Sequence, residues 1–226
     1  MFIGKWNKSV ILTYIGLVTS IVGMFLCYRF ENSINWAISC LIIAGICDLF
    51  DGAIARKCKR TEEEKNFGIQ LDSLVDTISF IALPVTILFK MQMNSWYQLI
   101  IIAIFAICGI ARLAYFNISV EDNNTPVKYY CGLPVTFTAL ILPVFYLLKY
   151  AVPVDIFNVL YTVLVLVVAI LNILNIKIFK PKGIAYGVFS ILAIIMLILY
   201  LGVLWKKYII EKLKNLKMKD NMVENI

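Results

Sequence analysis

The sequence predicts an all-α, polytopic transmembrane helical bundle with six core helices plus an extra C-terminal helix. Three observations predict it. The chain has 226 residues, of which 62% are hydrophobic and only 15% charged, whereas a soluble domain is about half apolar and a quarter charged. The apolar residues gather into runs of about 20, long enough to span a bilayer. The basic residues concentrate in alternate connections between those runs.

The runs fall at 9–28, 34–55, 69–89, 97–115, 133–148, 155–176 and 184–205. Each satisfies its own backbone in lipid only as a helix, and runs of this length favour helix over strand despite their Val and Ile content. Lys5 and Lys8 precede the first run in the manner of a signal peptide. The run continues to Cys27 and Tyr28 without a small-x-small cleavage site, so it is read as an uncleaved first span. One membrane domain, 1–205, is expected, followed by a basic tail, 206–226.

The formal charge is +7, from 21 Lys and Arg against 14 Asp and Glu. It reflects membrane topology rather than nucleic-acid binding. Arg56, Lys57, Lys59, Arg60 and Lys65 lie between the second and third runs. Arg112 and Lys128 flank the next connection on that side, and Lys177, Lys180 and Lys182 follow the sixth run. The other connections hold Arg29 with Glu31, Lys90, and Lys149 with Asp155. The basic set belongs in the cytoplasm of a multi-pass cell-membrane protein. The tail conflicts with this, because seven spans would place its lysines outside. Either it breaks the rule or the last segment does not fully cross. Tyr208, Ile209, Leu213 and Leu216 there have the spacing of an amphipathic surface helix.

Six cysteines form no CxxC pair and most lie inside apolar runs, so they read as small reduced fillers. Histidine is absent. That excludes a histidine-based triad and a histidine metal site.

Four aspartates enter the ends of the second and third runs. An aspartate near the middle of a span costs about 3 kcal/mol. Asp48 and Asp51 are three apart, and Asp72 and Asp76 four apart, so each pair lies on one face of its helix. Gly52 and Ala55 continue the first face and Gly68 the second. Four like charges facing one another repel strongly at low dielectric. A divalent cation removes that repulsion, and carboxylates without His or Cys suit Mg²⁺ or Mn²⁺. Two such ions would stabilise the entering and leaving oxygens of a phosphoryl transfer. Cation or proton transport is the competing reading, since acids within a membrane also mark ion paths.

At these residues the sequence resembles the CDP-alcohol phosphatidyltransferase family, whose signature reads D-x2-D-G-x2-A-R, a spacer, then G-x3-D-x3-D. Asp48, Asp51, Gly52, Ala55, Arg56, Gly68, Asp72 and Asp76 fill every fixed position. The spacer, Lys57 to Phe67, is eleven residues and longer than usual. At the first helix Leu12-Thr13 fits, but Gly16 stands where an Asn is common. Phe67 to Asp76 with Ser79-Phe80 and Pro84, the run Arg112 to Asn117, and Gly132-Leu133-Pro134 resemble the serine-using branch of that family.

The resemblance implies that Asp48, Asp51 and Asp72 bind two metal ions and the carrier's diphosphate. Asp76 would contact metal and act as the catalytic general base, which agrees with the absence of histidine. Asp48, Gly52, Ala55, Arg56 and Gly68 would meet the nucleotide. Arg112, Asn117 and Lys128 would face the serine acceptor, Arg112 offering a fork to its carboxylate. Gly132 and Pro134 are expected to start the fifth helix. The implied partners are CDP-diacylglycerol, L-serine and membrane lipid, with no nucleic acid. Assembly as a homodimer is compatible with this reading. Glycerol 3-phosphate or an inositol phosphate as acceptor, and an archaeal-type lipid carrier, stay open.

Overall fold

The computed structural model describes Gly4 and residues 7–122, 129–179 and 187–203. The described residues form seven helices: α1 (Ile11–Arg29), α2 (Ile34–Lys57), α3 (Glu62–Lys90), α4 (Trp96–Asp122), α5 (Val135–Tyr150), α6 (Val154–Ile173) and α7 (Gly187–Val203). Five of them, α1 to α4 and α6, are long and apolar enough to cross a membrane; α5 and α7 are shorter apolar helices. All seven predicted runs are therefore helical, and α1 packs along α2 as α4 does along α6. The tail from 206 onward and Lys128 lie outside the described residues.

Strands were not expected, yet β1 (Tyr129–Cys131) pairs antiparallel with β2 (Lys177–Phe179), Tyr130 opposite Ile178. The ribbon ties the connection after α4 to the one after α6. Both lie at the same end of the bundle, where two chain segments outside the helices satisfy each other's backbone groups. Gly132 closes it. Its N–H donates to the Ile176 carbonyl at 2.9 Å, its φ is +74°, and a Cβ there would come within 2.6 Å of the Asn172 carbonyl oxygen. Only glycine fits both requirements.

α1 shows how the bundle is sorted. Its buried residues are Thr13, Gly16, Ser20, Gly23 and Cys27, while Ile11, Ile15, Val18, Ile21 and Phe25 are exposed. Small residues face the protein and large apolar ones face outward, as lipid demands. A Cβ on Gly23 would lie 2.9 Å from Leu83 Cδ1 and 3.0 Å from Cys40 Cβ, so α1 approaches both α2 and α3 closely there. The cysteines act as expected: Cys27, Cys40, Cys47 and Cys108 are buried and free.

α3 begins seven residues before its apolar run. Thr61 caps it by accepting from the Glu64 N–H at 3.2 Å, and Glu64 accepts from the Thr61 N–H at 2.8 Å. Glu62, Glu63 and Glu64 add negative charge to the first turn, where the helix dipole favours it. Half of the long spacer is thus helix, and the break between α2 and α3 is short. Further along, Ile78–Ala82 widens into a π turn. Pro84 follows at the start of the resumed α-helix. It lacks the N–H for an i−4 bond and its ring crowds that carbonyl, which accounts for the local change of hydrogen bonding.

The end of the bundle remote from the ribbon is held by aromatic residues. Pro143 interrupts α5, which ends in a 3₁₀ turn, Leu147–Tyr150. Tyr161 Oη donates to the Leu142 carbonyl at 3.0 Å and Tyr200 Oη to the Pro143 carbonyl at 2.7 Å. Tyr146, Phe157, Tyr161 and Tyr200 pack ring against ring around these bonds. The two phenols thereby bury their hydroxyls with carbonyl partners, as an apolar surrounding requires.

Candidate active site

The last turns of α2 and the middle of α3 meet at the ribbon end. Asp48 and Asp51 share one stripe of α2, Asp72 and Asp76 one stripe of α3, and all four line a single cavity of about 290 Å³. Carboxylate oxygens of Asp48, Asp72 and Asp76 lie within 4.8 Å of one another. Asp51 and Asp76 are each only 8% exposed. Asp51 stands outside that triplet, and its Oδ2 accepts a hydrogen bond of 3.1 Å from Thr13 Oγ1 of α1.

The donor set fits a hard divalent cation. It is all carboxylate oxygen, converges from two helices and sits largely out of water, where uncompensated like charges are costly. Asp48, Asp72 and Asp76 would hold such an ion, with Asp51 beside them in the same cavity.

The other sequence-predicted residues divide. Gly52 and Arg56 line the cavity, as do Arg112 and Pro134. At Gly52 the nearest atom to an added Cβ is Arg56 Nη1 at 3.6 Å, so no helix packing calls for glycine there. Pro134 both precedes the first turn of α5, as expected, and faces the cavity. Ala55 and Gly68 do not line it. Gly68 is near Arg60 Nη1 and Val10 Cγ1, at 3.8 and 4.0 Å. Asn117 also stands back: its Oδ1 accepts from Ser73 Oγ at 2.7 Å, and Ser73 is the one at the cavity wall.

Arg112 is the most informative placement. An arginine serving only as a topology signal at a helix end would be solvated, yet Arg112 is only 8% exposed. Its guanidinium lies 5.4 Å from the centre of the Phe116 ring, a cation–π distance. Phe116 and Leu113 line the cavity beside it. On α4 the arginine therefore brings positive charge to the aspartate end of the bundle from the inside.

Sequence reasoning assigned no role to Ser73, Thr13 or Phe116. Ser73 lies between two of the motif aspartates and Thr13 within a Leu-Thr pair, so a scan for hydroxyls near the motif would have found both. Phe116, one turn from Arg112, carries no comparable signal. The apolar wall of the cavity comes from Phe137 and Leu140 of α5 and Phe189 and Ala193 of α7.

Comparison with known proteins agrees with the motif. The chain is 37% identical over 115 residues to a CDP-diacylglycerol–serine O-phosphatidyltransferase of Saccharomyces cerevisiae, covering 48% of this chain and 41% of the relative. It is 32% identical over 118 residues to an archaetidylserine synthase of Methanothermobacter thermautotrophicus, covering 52% and 48%. It is 34% identical over 131 residues to a CDP-diacylglycerol–serine O-phosphatidyltransferase of Methanocaldococcus jannaschii, covering 58% and 56%. The chain spans about half the length of these relatives. No solved structure matches it. The family model for CDP-alcohol phosphatidyltransferase matches residues 6–213, a stretch that takes in all seven helices and the acidic cavity between them. The chain belongs to the CDP-alcohol phosphatidyltransferase family.

Proposed function

We propose that the chain transfers a phosphatidyl group from CDP-diacylglycerol to L-serine, giving phosphatidylserine and CMP. The observation that carries this reading is the convergence of the four motif aspartates on one cavity that also holds a buried arginine and an apolar wall. The names of the relatives from yeast and the two methanogens support serine as the acceptor.

Each part of the cavity then has a task. Two bound divalent ions, Mg²⁺ or Mn²⁺, would neutralise the diphosphate and stabilise charge as its bond to phosphorus breaks. Asp48, Asp51, Asp72 and Asp76 would hold them. Gly52, where nothing replaces the missing Cβ, gives the nucleotide access to the α2 backbone, and Arg56 offers charge to a phosphate. Phe137, Leu140, Phe189 and Ala193 form the side along which acyl chains would lie. Arg112, held by Phe116, meets the serine carboxylate as a two-pronged donor. Asp76 takes the proton of the serine hydroxyl as that oxygen bonds to phosphorus. The phosphorus-to-oxygen bond of the diphosphate breaks, and CMP leaves with the oxygen.

Asn117 serves through Ser73 rather than by touching substrate. The basic residues around the α2–α3 connection support a cytoplasmic position for this end.

Purified protein with CDP-diacylglycerol and Mn²⁺ or Mg²⁺ tests the reading against a panel of alcohols. CMP release with serine alone is expected. Release with glycerol 3-phosphate or an inositol phosphate instead overturns the acceptor and keeps the chemistry. No CMP with any alcohol, together with cation flux in proteoliposomes, replaces the enzyme with a transporter.

A further inference from the structure

Among the four aspartates, Asp51 has a distinct neighbour on α1. Thr13, itself 7% exposed, donates from Oγ1 to Asp51 Oδ2 at 3.1 Å. Thr13 lies on the buried stripe of α1 with Gly16, Ser20, Gly23 and Cys27. That stripe is locked in place further along the helix. Ser20 and Ser79 of α3 share a buried hydrogen bond of 2.7 Å, and Gly23 sits against Leu83 and Cys40. The rotation of α1 is therefore fixed independently of Thr13. The space between Thr13, Ser79 and the aspartates measures about 10 Å³, about the room one water needs. Substrate enters from the wide cavity on the other side, which Thr13 does not line.

We infer that Thr13 is a positioning residue for the metal site: its hydroxyl sets the rotation of the Asp51 carboxylate and so tunes the affinity of this end of the bundle for divalent cations. The inference rests on the metal-dependent reading above. The chemistry is that of an outer partner to a metal-binding group. Such partners fix the ligand's orientation, and losing one typically costs about 10–100-fold in metal affinity or activity. A valine has the shape of threonine without the donor, so Thr13→Val isolates the hydrogen bond. It leaves Asp51 with its Gly52 and Asp72 contacts but without the donor from α1, so one carboxylate oxygen has an unfilled acceptor site. Thr13→Ser restores the donor with one methyl fewer.

The test is Mn²⁺ binding to the purified full chain without any lipid substrate, read by electron paramagnetic resonance, with thermal unfolding as the control for folding. Thr13→Val is expected to weaken Mn²⁺ binding about tenfold, and Thr13→Ser to bind close to wild type. Should Thr13→Val not fold, Thr13→Ala is read in the same way. Equal Mn²⁺ affinity in wild type and a folded Val or Ala variant overturns the role of Thr13 while the metal site stands. Absence of Mn²⁺ binding in the wild type overturns the metal reading, and this inference falls with it.

Discussion

The two ends of the bundle treat buried polar groups in opposite ways. At the far end, the buried phenols of Tyr161 and Tyr200 each find a carbonyl, of Leu142 and Pro143. At the ribbon end, three carboxylates face one another within 4.8 Å. The first arrangement is complete without help and contributes to stability. The second gathers like charge in a poorly screened place, only partly offset by Arg112, so it opposes folding more than it favours it. The difference teaches where the same helices hold the protein together and where they gather charge that a bound cation would relieve.

Substitutions at the two ends should therefore move activity and stability in different directions. The largest effect is expected at Asp76. Asp76→Asn should lower turnover by about 10²–10⁴-fold, the scale of a general base. Without metal its thermal midpoint should not fall, because the repulsion within the acidic cluster is smaller. Turnover near wild type would remove Asp76 from the base role, and a lower midpoint would show that the aspartates are not in conflict.

The glycines sharpen the contrast. A Cβ on Gly45 would lie 2.8 Å from Ala139 Cβ, closing a crossing of α2 with α5, whereas one on Gly52 meets only a flexible arginine tip at 3.6 Å. Gly45→Val should cost about 1–3 kcal/mol through overpacking. Gly52→Ala should stabilise the helix by about 0.5–1 kcal/mol while raising KM for the cytidine carrier. Thermal unfolding and initial rates on both variants check this. An unaltered KM for Gly52→Ala would argue that the nucleotide does not approach α2 there.

The smallest effect on activity belongs to the far end. Tyr200→Phe removes one donor to the Pro143 carbonyl and should cost about 1 kcal/mol of stability, with turnover unchanged. A large loss of activity would mean that the two ends are coupled.

Much of this was legible in the sequence, for particular reasons. The apolar runs located all seven helices because a bilayer demands continuous hydrophobicity, a demand independent of packing. The start of α3 at Glu62 was legible too, in the pattern Thr61 to Glu64, yet the apolar run alone hid it. The β1–β2 ribbon was not legible, since three-residue strands carry no period and form only where two connections meet.

The sequence by itself determined the helices, the two acidic stripes and the oxygen-only chemistry, because a period of about 3.6 residues assigns residues to faces before any tertiary contact exists. The tertiary structure alone decided how those faces meet. It drew Asp48, Asp72 and Asp76 into one triplet and set Asp51 between Asp72 and Thr13. It buried Arg112, expected beside the connection after the fourth run, against Phe116. It left Ala55 and Gly68 off the cavity wall and put Ser73 in front of Asn117. Helical period fixes a face, but the rotation and depth of one helix against the next are set by close packing at points such as Gly23 and Gly45.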